Sequence, residues 1–559
     1  MGMKRKSKKV IMLLMACIMV LSLAACSGKG NNSAKKENAN NAPANTSTTS
    51  DKAAPSADEP GWKSDTSPIT FDWYLNFAWF PNKWGVDPTS QYVTKKTGVD
   101  INFIVPAGNE NEKLNTLIAS GKLPDFITLG WWEDGVKKMI EGGLVLPLNE
   151  LAEQYDPYFF KVSDPDKLGW YTQEDGNVYG YPNSSSSPKD YQQFGDTYVS
   201  NQTFVVRKDI YEAIGSPDMR TPEGFLAALK AAKEKFPQID GQPMIPFGLH
   251  EFIQTGNDSL EGYIQNFLAI PREKDGQLYE RERDPEYIKW MKVLRQANQD
   301  GLLAKDIFID KRAQMEEKIA QGRYFAMLYQ RTDFAAQLGT LFQQDPNKIY
   351  IAVDGPANAN LDAPTLNGPS ISGWTLTLIS KDVKDKERAI KFLSYLNSEE
   401  GQKDFYLGEK GVSYDTIDGK EQFLPEAFDL MNKDRSAFDK KYGSSFTFWM
   451  MQNTNITQQW APQSVEPYKQ LEDWTRGKTK SFSEFDELDP LANSDEGIIN
   501  TKIKDLRGKT LPKLIMASSE TEFDKIWDEY IKKQDDLGYA KVQAYKQAKY
   551  EENKKKLGM

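Results

Sequence analysis

The chain has 559 residues and a formal net charge of −10, from 80 Asp plus Glu against 70 Lys plus Arg. That acidic balance argues against a nucleic-acid partner, because phosphates are held by clustered Lys and Arg. One His and two Cys leave no pair of catalytic histidines, no His-rich metal site, no CxxC redox pair and no Cys-ligated zinc.

The first element is a targeting signal. Lys4, Arg5, Lys6, Lys8 and Lys9 are followed by an apolar run from Val10 to Leu23, too short for a comfortable membrane span. It ends in Leu23-Ala24-Ala25-Cys26, which resembles the lipobox of bacterial lipoproteins. The resemblance implies a signal peptide over 1–25, cleavage before Cys26, and a diacylglycerol on its thiol with an acylated N-terminus. The alternative is an ordinary secretory signal that happens to contain a Cys. Cys17 lies in the removed segment, so with Cys26 lipidated the mature chain has no free thiol and no disulfide. Residues 26–66 are rich in Asn, Ala, Ser, Thr, Pro and Gly with few apolar side chains. Such a stretch buries too little surface to offset the entropy of ordering, and it is read as a flexible tether.

From Pro68 onward the chain is long enough for two or three domains. No second apolar run approaches bilayer-crossing length. Ile69 to Leu75 alternates and is rich in β-formers; Val99 to Val105 and Asp125 to Leu129 are further strands. Between the last two, Leu114, Leu117 and Ile118 mark a helix that Gly121 ends. Thr221-Pro222 opens a helix with Phe225, Leu226, Leu229, Ala232 and Phe236 on one face, stopped by Pro237. Asp284-Pro285 opens another, closed by Gly301. Ala389, Phe392, Leu393 and Leu396 mark a third, and Ser519 with Glu522 form a capping box for a fourth. Strands return at Thr203 to Val206, Ile349 to Val353 and Trp374 to Ile379. Strands and helices alternate, so the fold class is α/β, with crossover helices on largely parallel sheets. His250 is read as a surface or loop residue.

Several segments then fall in a familiar order. They are Gly121-Lys-Leu-Pro-Asp-Phe126, Asp175-Gly-Asn-Val-Tyr-Gly-Tyr-Pro182, Phe204-Val-Val-Arg-Lys-Asp209, Ile214-Gly215 and Thr221-Pro-Glu223. A helix from Glu286 leading to Gly301-Leu-x-x-x-Asp306 follows, then Gly322-Arg323 and Ser394-Tyr-Leu-Asn-Ser-Glu-Glu-Gly401. Collinear over residues 68 to 415, they resemble the family 1 extracellular solute-binding proteins of carbohydrate importers, particularly their large lipoprotein branch. The resemblance implies a two-lobed, periplasmic-binding-protein-like (type II) fold, each lobe a sheet flanked by helices, with the ligand in the cleft between. Residues 68–180 with about 370–412 are expected to form one lobe. About 181–369 with 413–559 would form the other. The implied function is capture of a solute, an oligosaccharide first, by lobe closure and its delivery to the permease subunits of an ABC importer. The expected protein is a monomer on the outer face of the cell membrane, attached through its lipid alone, with no cofactor. Many larger relatives carry a calcium loop after the first helix of the second lobe. Here that stretch is Phe236-Pro-Gln-Ile-Asp-Gly-Gln-Pro243, with one carboxylate where a hard cation needs six or more oxygens, so no calcium is expected there. Asp164-Pro-Asp166 faintly resembles an EF-hand, but Leu168 occupies a ligand position.

A sugar site needs aromatic platforms for apolar sugar faces and planar polar groups for hydroxyls. In α/β sheets it lies beyond the carboxyl ends of the strands. Trp79 and Trp84 follow the first strand, Trp131 and Trp132 the third, and Trp374 sits beside a lobe crossing. Tyr329 and Arg331 end an apolar run, and Trp449 belongs to an apolar cluster, Phe446 to Met451, placed in the second lobe and read as core before cleft. Arg331 is set against a surface ion pair as its alternative. Acidic sugars enter through Arg331, Arg207 and the many Lys. Two rival classes remain. A secreted, lipid-anchored glycosidase or lyase would need two placed carboxylates, and no Gly-x-Ser-x-Gly elbow or phosphate-binding loop is present. A surface scaffold would show repeats or sandwich-like strand spacing.

Overall fold

The computed structural model describes residues 57–559. The signal peptide, Cys26 and the tether as far as residue 56 lie outside the described residues. Nine strands build the two main sheets. In chain order they are β1 (Ile69–Leu75), β2 (Val99–Ile104), β3 (Phe126–Gly130), β4 (Gly180–Pro182), β5 (Gln202–Arg207), β6 (Ile245–Gly248), β7 (Tyr324–Gln330), β8 (Tyr350–Ala352) and β9 (Thr375–Ile379). The first sheet has the order β2-β1-β3-β9-β4 and the second β8-β5-β7-β6. Each has helices on both faces, so its central strands read as continuous apolar runs: β3, β5 and β9 are buried along their whole length. Phe71, Trp73 and Leu75 point into one core and Tyr74 into the core on the opposite face. Phe204 and Val206 are likewise divided from Val205.

The chain crosses between the sheets three times. Residues 183–201 lead from β4 to β5, and residues 353–374 lead from β8 back to β9. A third crossing runs from Met451, packed under the first sheet, to the helix Tyr468–Thr475, whose Leu471 packs on the second. These crossings explain the one departure from parallel order in each sheet. A strand entered directly from a crossing begins at the edge facing the other lobe and must run away from it. Thr375 at the start of β9 therefore pairs with Gly130 at the end of β3, antiparallel, and Gln202 at the start of β5 pairs with Gln330 at the end of β7.

Local signals built the expected helices. Thr221 caps Pro222–Lys235 through Gly224 N–H, Asp284 caps Pro285–Gln299 through Glu286 N–H, and Gly121 takes φ 66° to end Glu110–Ser120. Ser519 caps Glu520–Leu537, but the Glu522 carboxylate accepts from Ser518, so only half of the capping box forms. The Phe236–Pro243 stretch is a hairpin with Asp240 and Gly241 both at positive φ, as a two-residue turn between twisted strands requires.

Two expectations need correction. Composition places the end of the tether at residue 66, but Trp62 is 3% exposed, wedged edge-on between Tyr158 and Tyr395. Arg388 binds the Ser67 carbonyl and Lys391 the Ser64 hydroxyl, so this segment is part of the first lobe. A single Trp in a polar run is invisible to composition. The resemblance implies that residues 413–559 belong to the second lobe, yet Phe448, Trp449, Met450 and Met451 pack with Trp73 beneath the first sheet. Tyr414, Phe423, Phe438 and Tyr442 pack on Tyr406 and Leu407. The chain stays with the first lobe until its third crossing because the helix Glu399–Leu407 leaves an apolar face there to cover.

Candidate functional site

The edge of the first sheet that faces the second lobe is made by the ends of β1, β3 and β4 and the start of β9. A half-buried carboxylate ties the first two together. Glu133 accepts from Gly130 N–H at 2.8 Å and from the Asn76 side-chain amide at 2.5 Å, while Tyr74 donates to Asn76 Oδ1 at 2.7 Å. Burial pushes the Glu133 carboxyl above its ordinary value against these hydrogen bonds. Glu110 accepts from Ala78 N–H at 2.7 Å and fixes the loop that carries Trp79. Trp79 is 55% exposed. Its ring lies parallel to that of Trp374, 5° apart at 6.1 Å, and stacks on Trp449 at 5.4 Å; Phe77 meets Trp449 edge-on at 4.9 Å.

Asn183, at the end of β4, aligns this cluster. Its Oδ1 accepts from Thr375 N–H at 2.8 Å, its carbonyl accepts from Trp374 N–H at 3.2 Å, and its side-chain amide donates to the Trp449 carbonyl at 3.0 Å. After β3, Trp131 donates its indole N–H to the Gly373 carbonyl at 3.1 Å and meets Trp132 edge-on at 5.7 Å. Trp132 is 56% exposed and folds over Gly130, where a Cβ would stand 2.6 Å from its ring.

A cavity of about 470 Å³ opens beside this edge. Trp131, Trp132, Glu133, Gln173 and Tyr179 form its first-lobe wall. The other is formed by Leu488 and Asp489 on a loop, by Asn500, Thr501 and Lys504 on the helix Asp495–Met516, which Leu511, Leu514 and Ile515 anchor in the second core, and by Lys546 on the helix Tyr539–Lys556. Asp489 accepts from Lys504 at 2.5 Å and Lys546 at 2.8 Å, and these cations hold its carboxyl well below the usual carboxylate range. A second cavity of about 400 Å³ shares Phe485, Leu488, Asn500, Lys504 and Lys546 with the first and continues along the second lobe. At the facing strand ends of the second sheet, Tyr263 donates to Gln330 at 2.8 Å and Asn266 to Gln202 at 2.9 Å.

Among the residues singled out from sequence, Trp79, Trp131, Trp132 and Trp374 stand together on the cleft edge. Trp449 backs them from beneath, 9% exposed, its indole N–H buried without a partner among the described residues. Three do not reach the cleft. Trp84 is buried against Phe448 and Phe103 and donates to Thr94, because the loop after β1 folds back over its own helix. Tyr329 is fully buried and stacks on His250 at 4.3 Å. Arg331 is spent on the Ser200 carbonyl and Glu472. His250 is itself buried, accepting no solvent role: it contacts the Ser259 hydroxyl at 2.7 Å, and burial lowers its pKa to about 3. Asp164 caps the helix Pro165–Tyr171. Asn76, Glu133 and Asn183 had no sequence signal beyond their position at strand ends.

The model of a family described as bacterial extracellular solute-binding protein matches residues 91–414. Lipoprotein LipO of Bacillus subtilis (strain 168) is 23% identical over 347 residues, covering 59% of this chain and 65% of that protein. The fructooligosaccharide ABC transporter substrate-binding protein FusA of Streptococcus pneumoniae serotype 4 (strain ATCC BAA-334 / TIGR4) is 27% identical over 233 residues, 39% of this chain and 41% of its own. The chain thus spans under two thirds of the length of either curated relative. The crystal structure of alginate-binding protein AlgQ2 without calcium ion superposes with a TM-score of 0.62 at 19% identity, covering 87% of this chain and 98% of that one. An extracellular solute-binding protein from Bifidobacterium longum subsp. infantis gives 0.63 at 16% identity, with 87% and 98% covered. These likenesses show the two-lobed fold.

Proposed function

We propose that this chain, which belongs to the bacterial extracellular solute-binding protein family, captures an oligosaccharide between its lobes and hands it to an ABC importer. The observation that carries the reading is the pair of exposed tryptophans, Trp79 and Trp132, on the cleft edge of the first sheet. Large aromatic faces left open beside a cavity lined by amides and charged groups suit apolar sugar faces and their hydroxyl rims. The name of FusA, a fructooligosaccharide ABC transporter substrate-binding protein, supports the same class.

Lobe closure supplies the signal to the importer. The three crossings act as the hinge, and ligand shifts the population toward the closed form. One lobe comprises residues 57–182 with about 375–453, and the other residues 202–352 with the chain from about 468. Lipidation of Cys26 holds the protein on the outer face of the membrane, with permease and ATPase as separate chains. A binder is favoured over a glycosidase or lyase because two carboxylates facing the cavity are already committed: Glu133 to Gly130 and Asn76, Asp489 to two lysines.

The test is calorimetric titration and thermal unfolding against neutral and acidic oligosaccharides. A ligand at 100 times its Kd stabilises the fold by about 2.7 kcal/mol. A selective rise with the sugar recovered intact supports a binder. Cleavage of the sugar would instead assign an enzyme, and no response to any sugar would remove carbohydrate as the ligand.

A further inference from the structure

The second-lobe end of the cleft holds two arginines that form no close ion pair among the described residues. Arg272 donates to Asn266 Oδ1 at 3.3 Å and Asn367 Oδ1 at 2.6 Å, and Arg281 donates to the same Asn266 Oδ1 at 2.8 Å. Two guanidinium groups therefore converge on one neutral amide oxygen. Among the described residues neither forms an ion pair with a carboxylate, whereas the cations around them do. Arg507 binds Glu261 and Glu282, each at 3.0 Å, and Arg283 binds Asp535 at 2.8 Å. The carboxylates that act on Arg272 from farther off are Asp486 and Glu484, and on Arg281 it is Asp284. Asp284 is already occupied by the Tyr279 hydroxyl and Glu286 N–H. The Nε atoms of both arginines are buried without a hydrogen-bond partner. Burial, and then the charge of Arg272, push the Arg281 guanidinium well below its ordinary range.

Two half-buried like charges held this close, with no ion-pair partner among the described residues, are costly unless something supplies the counter-charge. The surroundings are preorganised to receive it. Arg272 lies 4.2 Å over the Phe482 ring, and Asn266 is fixed to Gln202 at the start of β5. Both arginines line the 400 Å³ cavity that continues from the tryptophan-walled one. Planar guanidinium forks match carboxylate and sulfate oxygens.

We propose that Arg272 and Arg281 form a subsite for an anionic group of the ligand, a carboxylate or a sulfate, so that the oligosaccharide this protein takes is an acidic one. The inference rests on the reading of the cleft as a sugar site. It replaces Arg207 and Arg331 as anion-binding residues, since Arg207 is spent on Asp209 and the Gly322 carbonyl and Arg331 on Glu472.

The experiment is calorimetry on the whole protein with a uronate trisaccharide, a sulfated trisaccharide and neutral trisaccharides. A charge-assisted contact predicts that one acidic class binds roughly ten- to a hundredfold tighter than its neutral counterpart, and the preferred class tells carboxylate from sulfate. The preference shrinks as salt is added, is lost in Arg272→Gln and Arg281→Gln, and survives in part in Arg281→Lys. Neutral sugars binding as tightly as acidic ones, or a preference untouched by both Gln variants, would overturn the subsite and leave the carbohydrate reading intact. If no sugar binds, the carbohydrate reading falls and inorganic sulfate becomes the probe. Sulfate at matched ionic strength should then raise the thermal midpoint of the wild type by more than that of Arg281→Gln; equal rises overturn the subsite.

Discussion

Trp132→Ala separates a ligand platform from a packing residue. The side chain is 56% exposed. Taking roughly 250 Å² for a Trp side chain, about 140 Å² is open, and a sugar ring on one face covers about half of that. At about 25 cal/mol per Å², some 70 Å² is worth about 1.8 kcal/mol, a roughly twentyfold rise in Kd. The remaining surface, about 110 Å², packs within the protein, so truncation costs folding at most about 2.7 kcal/mol. With an unfolding entropy of about 2.1 cal/mol/K per residue over about 500 residues, the midpoint falls by no more than about 3 °C. The assay is calorimetric titration with the best ligand, alongside thermal unfolding of the ligand-free variant. A folded Trp132→Ala protein whose Kd stays within about twofold of wild type would refute the platform.

Asn183→Ala strips a partner from Thr375 N–H, the Thr375 hydroxyl and the Trp449 carbonyl. At about 1–3 kcal/mol for each unsatisfied buried group, unfolding in urea should show a loss of roughly 3 kcal/mol or more; a loss below about 1 kcal/mol would show that this residue does not align the cluster. His250 has a folded pKa of about 3, below its unfolded value of 6.5. Its contribution is therefore present above pH 6.5 and lost as pH falls toward 3, by roughly 2 kcal/mol between pH 6.5 and 5. In His250→Gln that part of the acid slope of stability should vanish, and an unchanged slope would disprove the buried neutral imidazole. A protein beginning at Ser67 should be about 3 kcal/mol less stable than one beginning at Ala57, because Trp62 leaves its slot between Tyr158 and Tyr395. Trp62→Ala in the longer protein should reproduce most of that difference, and equal stability of all three would restore the tether boundary at residue 66.

Much of this was legible before any coordinates. The strand Ile69–Leu75 and the caps Thr221 and Asp284 announce themselves because their signals are local: side-chain alternation, and an oxygen placed to accept an orphan N–H. Trp79, Trp131 and Trp132 are reachable by one rule, that loops after parallel strands face the ligand. That rule also chooses Trp84, which turns inward, since it reads position along the chain and not the direction in which a loop folds.

Local pattern, and the ordered motifs from Gly121 to Gly401, determined by themselves the α/β class and the family. The tertiary structure alone decided where the charges are paired. Arg207, Arg331, Arg272 and Arg281 are indistinguishable as letters in a chain. Whether a guanidinium is spent or free depends on which carboxylate arrives from a distant segment: Glu472, 141 residues along, neutralises Arg331, and among the described residues no carboxylate comes into ion-pair contact with Arg272 or Arg281. Electrostatic energy depends on separation in space, and only the folded chain sets it.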